Sequence, residues 1–332
     1  MAVVPENLEW SLTVPSVKEL VIQLPATVPT RYIRDEKDAP IAPVSDPSVC
    51  IPLIDMAKLV NPKDREMELQ KLHVACKDWG IFQIINHGIS DEFLKPGSLE
   101  GYGQAFVVSE DQKLEWNDMI FLKALPTENR KLEFWPELQP HKFRETIHTY
   151  SENMRDTTVS IAGFISMMLG LKAEELSKAF QDGGYDLRLN CYPPCPESER
   201  VLGIASHVDI SRITLLLDCG DTPGLQVLKD GRWVSVKPIA DALAVDIGTI
   251  MKIMSNGIYQ APLHRAVVHS SKERLSVATF CYPSTNVHIG PAKELIKPGT
   301  PALYMTLTMD DYIQRFFDWK RDAIPFIDTL KI

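Results

Sequence analysis

Asp186-Leu187-Arg188-Leu189-Asn190-Cys191-Tyr192-Pro193-Pro194 marks the point at which the chain changes its period. Leu187, Leu189 and Cys191 alternate with Asp186, Arg188, Asn190 and Tyr192, and the prolines end the run. In a strand this alternation sends each set to its own face. Period two recurs at Gly203–His207, Ile213–Asp218, Leu225–Lys229, Trp233–Val236, Ala242–Ile247, Ala261–Val268 and Arg274–Tyr282. Turn residues separate the runs at Asp221 to Gly224, Asp230-Gly231 and Asn256-Gly257. Many short strands between turns predict a β-sandwich or jelly roll.

Upstream the pattern is mixed. Residues 1–50 read as a proline-punctuated arm with one short helix, Val17 to Gln23. Ile51–Asp55 reads as a short strand, Asp64–Trp79 as a helix stopped by Gly80, and Ile81–Ile85 as an apolar strand. The longest helix is expected over Glu145–Met168, where Ile147, Tyr150, Met154, Thr157, Ile161, Phe164 and Met168 form one stripe, closed by Gly170. Ser90 caps a further helix that Pro96-Gly97 stops almost at once, well short of the usual ~11 residues. Either this is a single turn, or chain is missing between Lys95 and Pro96. Residues 1–185 thus form a helical and mixed region, and residues 186–332 a β core with a C-terminal helix. The two are expected to fold as one compact unit.

Composition limits the partners. The chain has 332 residues, 45% hydrophobic and 24% charged, with net charge −9. No basic block points to nucleic acid or an anionic membrane surface. No apolar run reaches the ~18 residues of a membrane span, and the N-terminus lacks a secretory pattern. Six cysteines without a CxxC pair suggest neither zinc nor a disulfide scaffold. The expectation is a cytoplasmic monomer acting on a small molecule.

Chemistry concentrates in the second half. His207 and Asp209 in His207-Val208-Asp209 share a strand face, and His264 follows in an apolar stretch. Two imidazoles and a carboxylate can occupy one face of an octahedral metal and leave three positions open. That suits a non-haem Fe(II) that must also bind O2 and a co-substrate. His269 is a decoy: it lies five residues beyond His264, an odd step that turns it to the other face. Arg274 and Ser276 again share a face, and a guanidinium fork with a hydroxyl matches a carboxylate. Asn190 and Tyr192 form a further same-face pair able to complete that pocket.

Taken together, several motifs resemble the plant 2-oxoglutarate/Fe(II)-dependent dioxygenases. They are Arg188-Leu189-Asn190-Cys191-Tyr192-Pro193-Pro194-Cys195-Pro196, His207-Val208-Asp209, Gly224-Leu225-Gln226-Val227, Asn256-Gly257-Ile258-Tyr259, His264-Arg265-Ala266-Val267 and Glu273-Arg274-Leu275-Ser276. Ile51–Asp55 and Trp79 to Gly88 match the family's other half. Within it, the chain is most similar to the branch holding codeine and thebaine O-demethylases and the dioxygenase-type norcoclaurine synthase. Gly101-Tyr102-Gly103-Gln104 and Glu110 to Trp116 fit that branch.

The resemblance implies a double-stranded β-helix, or jelly roll, with flanking helices. It implies Fe(II) on His207, Asp209 and His264, and 2-oxoglutarate held by Arg274, Ser276 and Tyr192 with Asn190 in support. O2 is the oxidant and ascorbate the reductant. The expected reaction hydroxylates, O-demethylates or oxidatively cyclises an aromatic plant metabolite of alkaloid or phenylpropanoid type, giving succinate and CO2. A non-oxidative condensing enzyme and a non-catalytic binding relative are the rival readings. The family also carries some two dozen more residues between the positions of Lys95 and Pro96. Candidate pocket residues are Tyr102, Phe106, Trp116, Phe121, Val208, Arg212, Phe280, Tyr304, Met309, Tyr312 and Phe316. Arg212 is expected on an exposed turn, either contacting an acidic or phenolic substrate or facing solvent as a plain surface charge.

Overall fold

Alternation along the strands sorts the side chains into an outer apolar face and an inner mixed face, and two sheets follow from that division. The computed structural model describes residues 14–23, 27–35, 40, 49–89, 107, 109–136, 140–319 and 324–332. In the first half, helix α1 (Val17–Gln23) precedes strand β1 (Leu53–Asp55), α2 (Met56–Val60) and α3 (Arg65–Val74). A π-turn over Ala75–Trp79 extends α3, and then come β2 (Ile81–Ile85), β3 (Asp118–Leu125), α4 (Pro140–Met168) and α5 (Ala173–Gln181). The second half runs β4 (Tyr185–Tyr192), β5 (Ile204–His207), β6 (Ile213–Asp218), β7 (Leu225–Lys229), β8 (Arg232–Ser235) and β9 (Leu243–Ile247). It ends with α6 (Thr249–Met254), β10 (His264–Ala266), β11 (Arg274–Cys281) and α7 (Met309–Asp318). The junction at Lys95 and Pro96 and the short helix expected after Ser90 lie outside the described residues.

The larger sheet has the order β1-β2-β9-β6-β11-β4-β3, and the smaller β5-β10-β7-β8. Strands from before and after residue 185 therefore share one sheet. Leu187 and Leu189 of β4, Leu215 and Leu217 of β6, and Leu243, Val245 and Ile247 of β9 lie on one face. They join the stripe Ile147, Tyr150, Met154, Ile161 and Ile165 of α4 in the main core. The opposite face looks toward the smaller sheet, and Ile81, Leu216 and Ala244 meet Leu225, Val227 and Val234 there. This is a jelly roll with its helices packed outside.

Beyond the strands expected from period two, the structure adds β3, α5 and α6. β3 (Asp-Met-Ile-Phe-Leu-Lys-Ala-Leu) is a mostly apolar run whose period alone does not separate helix from strand.

Gly80 makes the turn from α3 into β2. Its φ is 70°, and a Cβ there would stand 2.5 Å from the Gln260 carbonyl oxygen. Both left-handed strain and a backbone clash follow from any side chain. Gly80→Ala is therefore expected to destabilise the fold by at least ~1–3 kcal/mol, read as a lowered midpoint in chemical denaturation. An unchanged midpoint would contradict the tight packing of this turn.

Candidate active site

β5 and β10 pair antiparallel so that His264 lies directly across from His207. Their rings sit 4.3 Å apart, centroid to centroid. Asp209, just past the end of β5, brings Oδ1 to 3.5 Å from His207 Nε2 and 3.7 Å from His264 Nε2. The three ligand atoms all lie within 4.8 Å of one another.

The outer ring nitrogens are already committed. His207 Nδ1 meets the Ala205 carbonyl oxygen at 2.8 Å, and His264 Nδ1 meets that of Pro262 at 3.2 Å. Protonated Nδ1 atoms donating to these carbonyls leave each Nε2 lone pair facing the shared centre. Thr214 donates its hydroxyl to Asp209 Oδ2 at 2.5 Å, and the Thr249 backbone and side chain donate to the Asp209 carbonyl oxygen.

Electrostatics hold Asp209 ionised and His264 neutral, the forms that bind a metal, and favour a proton on His207 that a bound metal would displace. Burial alone would raise the Asp209 carboxyl, but His264, His207 and the Thr214 bond draw it down to about 2. Burial and the charge of His207 push His264 down to about 4, so it is neutral near pH 7. Burial pulls His207 down as well, but Asp209 outweighs it and holds the imidazole above its usual value. A buried carboxylate and two imidazoles with converging lone pairs fit a divalent iron with open positions.

Asp246 was not visible as a site residue in sequence. It is 7% exposed, and its Oδ2 lies 3.3 Å from His264 Nδ1. Burial and the charge of Asp209 hold its carboxyl well above the usual range. A charged residue inside the apolar run Leu243-Ala244-Val245-Asp246-Ile247 was the signal that could have found it.

A second constellation lies along β11 and β4, where Arg274 pairs with Tyr192 and Ser276 with Asn190. The Arg274 guanidinium lies 5.0 Å over the Tyr192 ring. Arg274 Nε, Ser276 Oγ and Asn190 Oδ1 are buried without a hydrogen-bond partner among the described residues. Each orphaned polar atom costs about 1–3 kcal/mol, and a carboxylate would satisfy the two donors. The fit to a keto diacid is therefore good. Gly224 makes room for the arginine, since a Cβ there would meet Arg274 Cδ at 2.5 Å. Asp218 of β6 faces Ser276 in register, and its Oδ1 lies 2.5 Å from Arg274 Nη2. Burial would lower the Arg274 pKa, but Asp218 and Tyr192 more than restore it, and the guanidinium stays charged.

The expected pocket residues separate into groups. Phe121 and Phe280 come together on the inner face as a stacked pair with centroids 6.4 Å apart. Val208 is half-buried between His207 and Asp209, which flank it. Trp116 is not a pocket residue: it is buried against Tyr32 and donates its indole N–H to the Pro193 carbonyl oxygen at 3.0 Å. Tyr312 is buried in the core and spends its hydroxyl on the Ile210 carbonyl oxygen at 2.8 Å. Phe316 packs on Phe317, Trp319 and Phe326, while Tyr304 and Met309 belong to the main core. The aromatic stripe of α7 thus serves packing. His269 sits in the loop after β10, where its Nδ1 accepts from the Ser271 and Lys272 backbones. Tyr102 and Phe106 lie outside the described residues.

Two family models match the chain: the 2OG-Fe(II) oxygenase superfamily over residues 183–283, and the non-haem dioxygenase in morphine synthesis N-terminal over residues 51–96. The chain is 39% identical to oxoglutarate-dependent flavonoid 7-O-demethylase 1 of Ocimum basilicum, covering 97% of this chain and 92% of that one. It is 37% identical to codeine O-demethylase of Papaver somniferum, covering 97% of each. These alignments span 347 and 351 positions, more than the 332 residues here, so the relatives carry residues that this chain lacks. Among solved structures, the complex of JOX2 with 2OG, Fe and JA superposes with a TM-score of 0.83 at 31% identity, covering 97% of this chain and 98% of that one.

Arg212 corrects an expectation. It is fully buried rather than on an exposed turn, and it reaches into a slot between α5 and α6. Nη1 donates to the Leu176 carbonyl oxygen at 3.2 Å, Nη2 lies 2.6 Å from Met254 Sδ, and the guanidinium sits 4.6 Å over the Phe180 ring. Among the described residues no carboxylate pairs with it, and burial pushes its pKa down to about 9. A buried cation without a counter-charge costs more than an apolar side chain of similar length. Arg212→Met is expected to raise the thermal unfolding midpoint. A lowered midpoint would mean that the Phe180 and Leu176 contacts outweigh the desolvation.

Proposed function

Since the chain belongs to the 2OG-Fe(II) oxygenase superfamily and is a 2-oxoglutarate-dependent dioxygenase, we propose that His207, Asp209 and His264 hold its Fe(II). In this reading Arg274, Ser276, Tyr192 and Asn190 hold the distal carboxylate of 2-oxoglutarate. Bound iron and 2-oxoglutarate supply oxidative decarboxylation by O2, coupled to oxidation of a substrate C–H bond. The reaction hydroxylates, O-demethylates or oxidatively cyclises an aromatic plant specialised metabolite of alkaloid or phenylpropanoid type.

The convergence of two Nε2 atoms and one carboxylate carries this reading. The chain's own residues do the positioning. Ala205 and Pro262 hold the Nδ1 protons, so the imidazoles keep their tautomer and aim. Thr214 fixes one Asp209 oxygen and leaves the other directed at the centre. Phe121 and Phe280 offer a flat apolar wall that orients a ring and excludes water near it. The activities named for the two similar demethylases, on a flavonoid and on codeine, support an O-methylated aromatic substrate. Free thiols at Cys76, Cys191, Cys195, Cys219 and Cys281 support a cytoplasmic setting. Among the described residues no helix is long and apolar enough to cross a membrane.

The test is incubation with Fe(II), ascorbate and 2-oxoglutarate against a panel of methoxylated alkaloids, flavonoids and lignans. Substrate-stimulated succinate and a product changed by one oxygen, one methyl or two hydrogens are expected. No stimulated succinate with iron demonstrably bound would sink the reading. His264→Ala is expected to abolish turnover and to weaken iron retention measured by metal analysis.

Asp218 shares the Arg274 fork with the incoming carboxylate, so it opposes 2-oxoglutarate by charge and by occupancy. Asp218→Asn is expected to lower the KM for 2-oxoglutarate several-fold with little change in kcat. A raised KM would instead make Asp218 the group that aims the arginine.

A further inference from the structure

Cross-strand register links Asp246 to Thr214, Thr214 to Phe280, Phe280 to Asp186, and Asp186 to Lys123. Residues paired directly across strands share a face, so this row crosses the inner face of the larger sheet. It begins at the metal ligands, because Thr214 bonds to Asp209 and Asp246 lies against His264. Neighbouring strands stand ~4.8 Å apart, which puts Asp186 about 10 Å from Thr214, two strands away. The next row on this face carries Ala278, Arg188 and Phe121, and the Phe121 ring stacks on Phe280. Asp186 therefore stands beside the aromatic wall, at substrate distance from the iron ligands.

Its surroundings leave the carboxylate unused. Asp186 is 9% exposed, and its side chain makes no hydrogen bond or ion pair among the described residues. Arg188, two residues along β4, is directed to Glu115 at 3.6 Å. Burial pushes the Asp186 carboxyl up to about 7, and Lys123 across the strand offsets this only in part. The Tyr282 phenol, just past β11, is held well above its usual range by burial and then by the charges of Asp186 and Asp209. Tyr282 thus lies within the influence of both carboxylates. A buried acid without a partner is costly, and a bound cation would relieve that cost. Aromatic faces beside a carboxylate are a recognition surface for a protonated amine.

We propose that Asp186 is a substrate-recognition group and pairs with a protonated aliphatic amine, so that the preferred substrate is an aromatic amine rather than a neutral or anionic phenylpropanoid. This rests on the oxygenase reading above. An anionic substrate would meet Asp186 as a like charge. A neutral phenol would give the Asp186 carboxyl no counter-charge.

The test uses the protein loaded anaerobically with Fe(II) and 2-oxoglutarate, so that binding is read without turnover. Methoxylated benzylisoquinoline amines and isosteres with carbon in place of nitrogen are titrated by calorimetry. Wild type is expected to bind the amines at least tenfold more tightly. Asp186→Asn, which keeps the shape and removes the charge, is expected to erase most of that ratio, and Asp186→Glu to retain part of it. Thermal melts of both variants establish that they fold. A wild-type preference for the carbon isosteres, or a ratio unaltered in Asp186→Asn, would overturn the proposal; the wild-type ratio decides even if neither variant folds. Substrate-stimulated succinate released by wild type with Fe(II), 2-oxoglutarate and O2, across amines and isosteres alike, reads the oxygenase activity separately. Its absence with every compound, with iron demonstrably bound, would sink that activity, whereas a ratio independent of Asp186 sinks only the amine assignment.

Discussion

The pairing of β11 with β4, residue for residue from Arg274 opposite Tyr192 to Cys281 opposite Tyr185, is the constraint on which the site depends. Side chains along a strand change face at every step, so a slip of one residue would exchange the two faces. Arg274, Ser276 and Phe280 would then turn into the helix-covered core, and Val277 and Thr279 into the site. The apolar demand of α4 prevents that slip. Leu187, Leu189, Leu215 and Leu217 must bury against it, and the polar residues between them have only the inner face to occupy. Packing thus fixes the chemistry's geometry without touching it.

The inner face is costly to build, because charged groups there are desolvated. Each charge is handled differently. Asp209 is stabilised by two imidazoles and a hydroxyl, and Arg274 by Asp218 and the Tyr192 ring. Asp246 and Asp186 have their carboxyls pushed upward by burial instead. Arg212 shows the same cost on the helix side, where only a carbonyl, a thioether and a ring attend it. Such groups persist in a fold when function or history retains them, since packing alone favours apolar replacements.

Strand parity made much of this legible in sequence. It placed Arg274 with Ser276 and Asn190 with Tyr192, whereas His269 parts from His264 because β10 ends at Ala266 and a loop follows. Parity could also have put Thr214 and Asp218 on one face, but not which face, because that depends on where α4 packs. Arg212 and the α7 stripe show the matching limit. Position after His207-Val208-Asp209 suggested exposure for Arg212, but α5 and α6, neither foreseen, close over it. Tyr312 and Phe316 follow helical spacing, which marks a buried stripe whatever that stripe lies against. Tertiary neighbours decided these cases, and local pattern does not encode them.

The same two strands carry both ends of the site, which explains why reaction class is easier to read than substrate. Arg274, Ser276, Tyr192 and Asn190 stand at one end of β11 and β4, and Phe280 and Asp186 at the other. Four residues separate Ser276 from Phe280, about 13 Å at the rise of a strand. Changes at Asp186, Phe280 or Lys123 therefore alter the wall near a substrate while leaving the arginine and its neighbours in place. The motif residues are held in register by the sheet, and the substrate end can vary within that register. A single acidic side chain at that end then has large leverage. In a desolvated pocket one charge acts at close range with little screening, and it separates amines from their neutral isosteres more strongly than any change in apolar contact.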